Sequence, residues 1–514
     1  MAGLIGLGSC GGGGDGGMAP PPPSTITYMP GVFLPSTSFA AHCAVPRSGT
    51  DPFTGRPYPD VMGSTLAENN WLRSWTNELY LWYREVPDLN PANTATTAAY
   101  FDLLKTSAIT ASGQPKDKFH FTYPTSTWES LSQAGVQAGY GASWDIIAGA
   151  PPRNVVVAYT EPNSPATTAN LLRGAQVLSV DNVDLVNATG QKNVDALNAG
   201  LFPNNAGEMH TFSIRDPGAT APRTVTMTSA NVTETPVTNV AVIQNTTVGY
   251  MLFKDHIATA EAALIDAVNQ LKAQNITDLV LDIRYNGGGY LDIASELAYM
   301  IAGPTATAGK TFELTKFNDK YPTTDPVTGQ PLTPLPFEAT TQGFSTAAGV
   351  ALPTLNLARV FVLTGPDTCS ASESVINSLR GIGVNVIQIG STTCGKPYGF
   401  YPADNCGTTY FSIQFQGVNQ AGFGDYPDGF SPANTVAPAG VSVPGCSVAD
   451  DLNHALGDPN EARLAAALTY MNAPGTCPAP TGTLARAQAA RTGATSGDGV
   501  VPKSPWHQNR IYRH

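Results

Sequence analysis

Charged side chains are scarce in this 514-residue sequence. Asp, Glu, Lys and Arg make up 13%, against roughly 25% in an average globular protein. Acidic residues outnumber basic ones, 39 to 27, for a formal net charge of −12. A nucleic-acid binder needs a basic face to neutralise phosphates, and a lipid-surface binder needs one for anionic headgroups, so neither reading fits. No apolar run reaches the about 18 residues of a membrane-spanning helix. There is no Cys-x-x-Cys pair, no His-Glu-x-x-His and no Gly-x-Ser-x-Gly elbow, which argues against zinc and against an α/β-hydrolase nucleophile. Gly (51) and Pro (42) together stay below the roughly 25–30% that marks a disordered chain. With 42% hydrophobic residues, the chain can bury the cores of two or three domains.

The amino terminus reads Leu7-Gly8-Ser9-Cys10 and then a Gly/Pro-rich stretch to Pro23. The tetrapeptide resembles a bacterial lipobox, with Cys10 as the lipid acceptor and residues 1–23 as terminus and flexible tether. The preceding apolar run is short and lacks a basic flank. Six cysteines remain: Cys43, Cys369, Cys394, Cys406, Cys446 and Cys477. An even count behind an export-like terminus suggests disulfides and an oxidising compartment. Cys394 with Cys406, close in sequence across a turn, is the expected pair.

Texture divides the rest. Residues 24–66 are rich in Pro, Gly and Ser and read as an extended wrap. In residues 67–123, Trp71, Leu72, Trp75, Leu79, Trp82, Tyr83 and Val86 recur at helical spacing, and Tyr100, Phe101, Leu103 and Leu104 mark a second helix. Such an aromatic stripe reads as core. Residues of about 130–235 read as short strands, at Ser143–Gly149, Val155–Thr160 and Gln176–Val180, with one helix at Asn193–Leu201. From about 236 to 475 strands alternate with helices: Val248–Phe253, Ala258–Leu271, Asp278–Ile283, Leu291–Ile301, Arg359–Thr364, Ala371–Arg380 and Asn385–Gly390. That order implies an α/β domain with partly parallel pairing. The stretch 309–357 is a Pro/Thr-rich insertion, and residues after Cys477 read as a low-complexity tail.

Three segments carry chemistry. Thr368-Cys369-Ser370-Ala371-Ser372-Glu373 follows a buried strand and opens a helix. Catalytic groups favour that edge of an α/β sheet, and a helix amino terminus favours developing negative charge. Ser370-x-x-Glu373 also spells a capping box, which need only start a helix. Gly390-Ser391-Thr392-Thr393-Cys394-Gly395-Lys396-Pro397 nearly spells a P-loop. Pro397 offers neither a hydroxyl for magnesium nor an N–H for phosphate, so a nucleotide site is rejected. What is left is Lys396 on a Gly turn, either a surface lysine or, if desolvated, a base of lowered pKa. Asp282-Ile283-Arg284-Tyr285-Asn286-Gly287-Gly288-Gly289 ends a strand in three glycines. Their amides suit an oxyanion hole or simply a turn. The seven histidines show no pairing by spacing. A Ser–Lys dyad needs none.

These segments, in this order, resemble the carboxyl-terminal processing (tail-specific) proteases, PDZ-bearing Ser/Lys peptidases. The resemblance covers residues of about 67–470. It implies Ser370 as nucleophile, Lys396 as general base, and Gly288 or Gly289 with Ala371 as oxyanion donors. Gly139-Tyr140-Gly141-Ala142 is similar to a PDZ carboxylate loop, so Tyr140, Gly141 and Ala142 would hold a peptide's terminal carboxylate. Asn163–Ala166, Leu171–Gly174 and Val177–Asp181 resemble a PDZ core. The implied organisation is multi-domain α+β: an extended segment and helical amino-terminal domain (24–128), a PDZ-like β-rich domain (129–235), an α/β peptidase domain of ClpP/crotonase-like type (236–476) and a tail (477–514). The family usually carries Gln four residues after the lysine; here that position is Phe400, so the dyad either lacks its usual third member or takes Gln414 or Gln416 on the next strand as a substitute. The PDZ Gly-Asp pair reads Gly174-Ala175.

The expected function is a periplasmic or extracellular serine endopeptidase, lipid-anchored if Cys10 is acylated. It would act on polypeptide tails and need no metal or organic cofactor. The alternative is a PDZ adaptor on the same fold with a degraded dyad.

Overall fold

The computed structural model of the chain describes residues 27–481 and 510–512; Cys10 and the lipobox lie outside them. Its largest unit is a six-stranded sheet. The strand order is Val237–Val242, Val248–Phe253, Asp278–Asp282, Arg359–Thr364, Asn385–Gly390 and Gly445–Ser447. The first pair is antiparallel and the remainder parallel. A parallel sheet is covered on both faces, so its strands read as continuous apolar runs. Met251, Phe253, Leu279, Leu281, Val360 and Val362 face the helices Ala260–Ala273, Leu291–Thr307 and Ala371–Gly381. Tyr250, Leu252, Val280, Phe361 and Leu363 alternate with them and face the helix Ala462–Asn472.

The carboxyl edge of this sheet collects Asp282, Thr364 and Gly390 on adjacent strands. Leu363 pairs with both Asp282 and Ile389, and Thr364 with Gly390. Buried Arg284 holds this edge. It donates to Asp282, to Asp450 at 2.7 Å and to both oxygens of Glu461 at 2.8 and 3.0 Å. Arg284→Met leaves Asp282 and Glu461 without their paired cation, while Asp450 keeps Arg173 at 2.6 Å, and loss of about 3–5 kcal/mol is expected in chemical denaturation.

The β-rich unit is a separate antiparallel sheet, ordered Arg223–Thr228, Met209–Arg215, Gln176–Val180, Asn154–Thr160 and Ala142–Ala148. Trp144, Val155, Val177, Leu197, Phe212 and Ile214 fill its core. The expected helix is Gln191–Leu201. Side-chain contacts bind this unit to the larger one, Arg173 with Asp450 at 2.6 Å among them. Lys254 pairs with Glu161 at 2.5 Å, and Arg173 donates to the Tyr285 hydroxyl at 2.5 Å.

The amino-terminal region departs from the periodicity reading. The helix Thr65–Leu79 is capped by Ser64, whose side chain accepts from the Ala67 amide. It buries Trp71 and Trp75, stacked at 5.2 Å, against Phe101 and Tyr410. It stops at Leu79: Tyr80 turns to ψ 131°, and the Leu81 amide donates to Ile413 O at 2.8 Å instead of to the helix. Trp82 belongs to the following turn and packs on Tyr398 instead. Strand Phe121–Pro124 pairs with Thr408–Phe411, so this region is stitched into the larger unit. The stretch 309–357 contributes the strand Thr311–Lys316 and buries Phe312 and Phe337.

The cysteines pair as Cys43–Cys406, Cys369–Cys394 and Cys446–Cys477. Cys394 with Cys406 is therefore corrected. Cys43 comes from the wrapping segment, separated from Cys406 by 363 residues, yet their Cα atoms are 5.3 Å apart. The tail reading is also corrected at one place: Arg510–Tyr512 is a strand paired with Gly288–Tyr290. No helix among the described residues is long and apolar enough to cross a membrane.

Candidate active site

Ser370 sits between the strand Arg359–Thr364 and the helix Ala371–Gly381, with φ 59° and ψ −120°. A non-glycine residue there is strained by its Cβ, and such strain persists only where the surroundings impose it. Hydrogen bonds to the neighbouring turn do so. Cys369 N–H donates to Asn286 O at 3.1 Å, Ser372 Oγ to the same carbonyl at 3.2 Å, and Thr368 Oγ1 to Ile283 O at 2.8 Å. Ser370 and Glu373 stand in capping-box geometry, and the Glu373 arm is clear: Oε2 accepts the Ser370 N–H at 3.0 Å. Ser370 Oγ itself is buried with no partner meeting hydrogen-bond geometry among the described residues. The hydroxyl faces the Glu373 amide in capping-box geometry without meeting the distance and angle of a full hydrogen bond.

Glu373 joins Ser370 to Lys396. Its carboxylate also accepts from Lys396 N at 2.8 Å, Gly395 N at 2.9 Å and Thr393 Oγ1 at 2.5 Å. Burial pushes the Glu373 pKa up, and these donors pull against it. The Gly395 and Lys396 amides are thus donated to a carboxylate, and those of Ser391, Thr393 and Cys394 to backbone carbonyls. The Cys369–Cys394 bridge makes a second link, from the residue before Ser370 to the Lys396 loop. With Glu373 these sulfurs lie within 4.8 Å of one another, but they are bonded to each other and offer no thiolate.

Lys396 is fully buried. Its Nζ lies 4.2 Å from the Phe400 ring centroid and 5.1 Å from that of Phe119, at cation–π distance. Gln414 does not replace the usual glutamine: it exchanges hydrogen bonds with the Tyr401 backbone. Gln416 donates to Gly424 O. Both expectations are corrected; the position is filled by aromatic rings.

Gly288 lies against Ser370. A Cβ there, at φ +99°, would stand 2.7 Å from Ser370 Cβ and 2.9 Å from Ala371 N. Only glycine fits so close an approach. The Gly288 amide, however, is donated to Asn286 Oδ1 at 2.9 Å, which corrects its reading as a free oxyanion donor. Gly289 follows at φ +142°, and its neighbour Tyr290 donates its amide to His256 O. Ala371 is the first residue of the helix, where amides have no intrahelical acceptor.

Two side chains escaped sequence reasoning. His256 is buried and shares Asn286 Oδ1 with Gly288, at 3.0 Å from Nδ1, while its Nε2 has no partner among the described residues. The one sequence signal is its place, three residues past Phe253 at the same sheet edge. Burial pushes its pKa down to about 3. The unfolded chain therefore binds a proton below the ordinary imidazole pKa of about 6.5 that the folded chain refuses. His256 thus makes stability fall as pH drops from about 6.5 towards about 3, by up to about 1.4 kcal/mol per pH unit. Denaturant midpoints measured across that window are expected to show a flatter slope in His256→Asn. Lys118 is the other. Its half-buried ammonium has its pKa lowered by burial, against the pull of Glu373 and Asp428.

Away from this site, Tyr140 is buried and its hydroxyl donates to Gly200 O at 3.0 Å. Gly141 and Ala142 line an open groove with Trp144, Phe202, Val232 and Lys254.

Comparison with known proteins adds the family. The model of peptidase family S41 matches residues 247–399, and that of the S41 amino-terminal domain matches residues 67–121. A carboxyl-terminal-processing protease of Picosynechococcus sp. is 27% identical over 272 residues, 53% of this chain and 56% of that protein. The chloroplastic carboxyl-terminal-processing peptidase 2 of Arabidopsis thaliana is 26% identical over 178 residues, 34% of this chain and 32% of that protein. The matches thus span about half, and about a third, of these relatives' lengths. A crystal structure from Bacteroides fragilis described as an S41 protease shares the fold, with a TM-score of 0.58 and 23% identity over 78% of this chain and 97% of that one. Both S41 matches fall on segments that build the site, and residues 67–121 and 247–399 carry the amino-terminal and peptidase domains of family S41.

Proposed function

We propose that the chain is a serine endopeptidase working through a Ser370–Lys396 dyad. The observation that carries this is the Ser370 hydroxyl, buried and unpartnered on a strained turn, with its own amide and that of Lys396 held on one oxygen of Glu373. Lys396, as a neutral amine in an apolar pocket, takes the proton from Oγ as it attacks a peptide carbonyl. The Ala371 amide and Gly289 face the developing oxyanion, and Gly288 shapes the turn. Loss of one such donor typically costs about 2.7–4 kcal/mol. The amine leaves with the proton, and water resolves the acyl-enzyme. Phe119 and Phe400 wall the pocket that holds Lys396.

The β-rich unit acts as a PDZ-like reader of free carboxyl tails. The groove beside Tyr140–Ala142 supports this, being apolar along Trp144, Phe202 and Val232 with a main-chain loop at one end. Exported or periplasmic polypeptides with unstructured tails are the substrate class. A peptide with a free apolar carboxyl end is expected to bind Ser370→Ala as it binds wild type, and its carboxyl-amidated twin to bind at least tenfold more weakly in fluorescence anisotropy. Equal binding of the two would remove the tail-reading role. An adaptor on the same fold would bind the tail and never cleave it.

A further inference from the structure

The strand Gly288–Tyr290 has neighbours on two sides. The His256 backbone closes one, donating to Gly288 O and accepting from Tyr290 N. Along the other runs Arg510–Tyr512 in parallel, with Gly288 opposite Arg510, Gly289 opposite Ile511 and Tyr290 opposite Tyr512. The same segment also comes against Tyr398–Gly399, just past Lys396. It lies between the turn that abuts the nucleophile and the loop that bears the lysine. Main-chain pairing with a sheet edge is a common way to hold an extended peptide, whatever its side chains.

We propose that this cleft is the binding site for the substrate main chain, held by parallel strand addition to Gly288–Tyr290, and that Arg510–Tyr512 is an intramolecular ligand competing for it. The word substrate rests on the peptidase reading; the occupancy rests on the strand pairing alone. Residues 482–509 join the segment to the rest of the chain, and tethers of such length give effective concentrations of about 1 mM. A segment of about 100 μM intrinsic affinity then lowers the apparent affinity of any competitor about tenfold.

The test uses the full-length chain and a fluorescein-labelled peptide with the sequence of residues 505–514. In the Ser370→Ala background, the added pair Arg510→Pro and Ile511→Pro removes two main-chain donors from the segment. The paired variant is expected to bind the peptide about tenfold more tightly by anisotropy. In the active chain, the same pair is expected to lower KM for an unfolded protein about tenfold and leave kcat within twofold. Equal peptide affinity with and without the prolines overturns the proposal. Tighter binding in a chain that cleaves nothing upholds the cleft and refutes the peptidase reading instead. Wild-type chains shortened within residues 505–514, absent from Ser370→Ala, would extend the proposal to hydrolysis of the segment.

Discussion

Ser370→Gly is expected to stabilise the protein while ending peptide hydrolysis. At φ 59° and ψ −120°, any side chain costs roughly 1–3 kcal/mol. Glycine has no Cβ to strain, and the hydroxyl it removes has no hydrogen bond to lose. Against this stands the larger entropy of glycine in the unfolded chain, about 0.5–1 kcal/mol. The net gain expected is about 1 kcal/mol, or a melting temperature higher by about 2–4 °C. Ser370→Ala keeps the Cβ, so it leaves stability near wild type. The two variants should be equally inactive, with kcat reduced by about 10⁴-fold or more. Calorimetry on the three proteins separates strain from hydroxyl chemistry. A glycine variant less stable than the alanine variant would show that the turn is not strained.

Glu373→Ala carries the largest expected loss of stability at the site. The carboxylate accepts from the amides of Ser370, Gly395 and Lys396 and from the Thr393 hydroxyl. Each buried donor left unpaired costs about 1–3 kcal/mol, and water entering the vacated space offsets part of that. A net loss of about 3–5 kcal/mol is expected in denaturant titration. Activity should fall further than stability explains, by about 100-fold in kcat at a temperature where the variant is folded, because Ser370 and Lys396 lose their common anchor. Glu373→Gln retains one acceptor oxygen and should fall between. An alanine variant with wild-type kcat would separate Glu373 from the dyad's geometry.

The sheet was the most legible part of the sequence, for a physical reason. Strands buried on both faces are uninterrupted apolar runs, so Val248–Phe253, Arg359–Thr364 and Asn385–Gly390 have the same bounds in sequence and structure. The active segments were legible because close packing leaves marks: glycine where Gly288 meets Ser370, and a serine opening a helix. Contacts made across long separations were not. Phe119 reaches Lys396 from a region joined to the larger sheet through strand Phe121–Pro124, and nothing in its own neighbourhood announces that. Sequence proximity also misled over Cys394, whose partner Cys369 lies on the nucleophile turn. Apolar spacing ran on past Leu79, where the Leu81 amide leaves the helix for Ile413 O and Asn318 takes the Glu78 and Tyr80 carbonyls. His256 looked solitary because its partner Asn286 comes from the next strand's turn.

The account's central claim is that Lys396 activates Ser370 for peptide hydrolysis. The most direct test incubates an unfolded protein bearing a free apolar carboxyl tail with wild type, Ser370→Ala and Lys396→Ala, and reads the products by mass spectrometry. New fragments with wild type alone are the predicted result. Fragments produced equally by Lys396→Ala would contradict the claim.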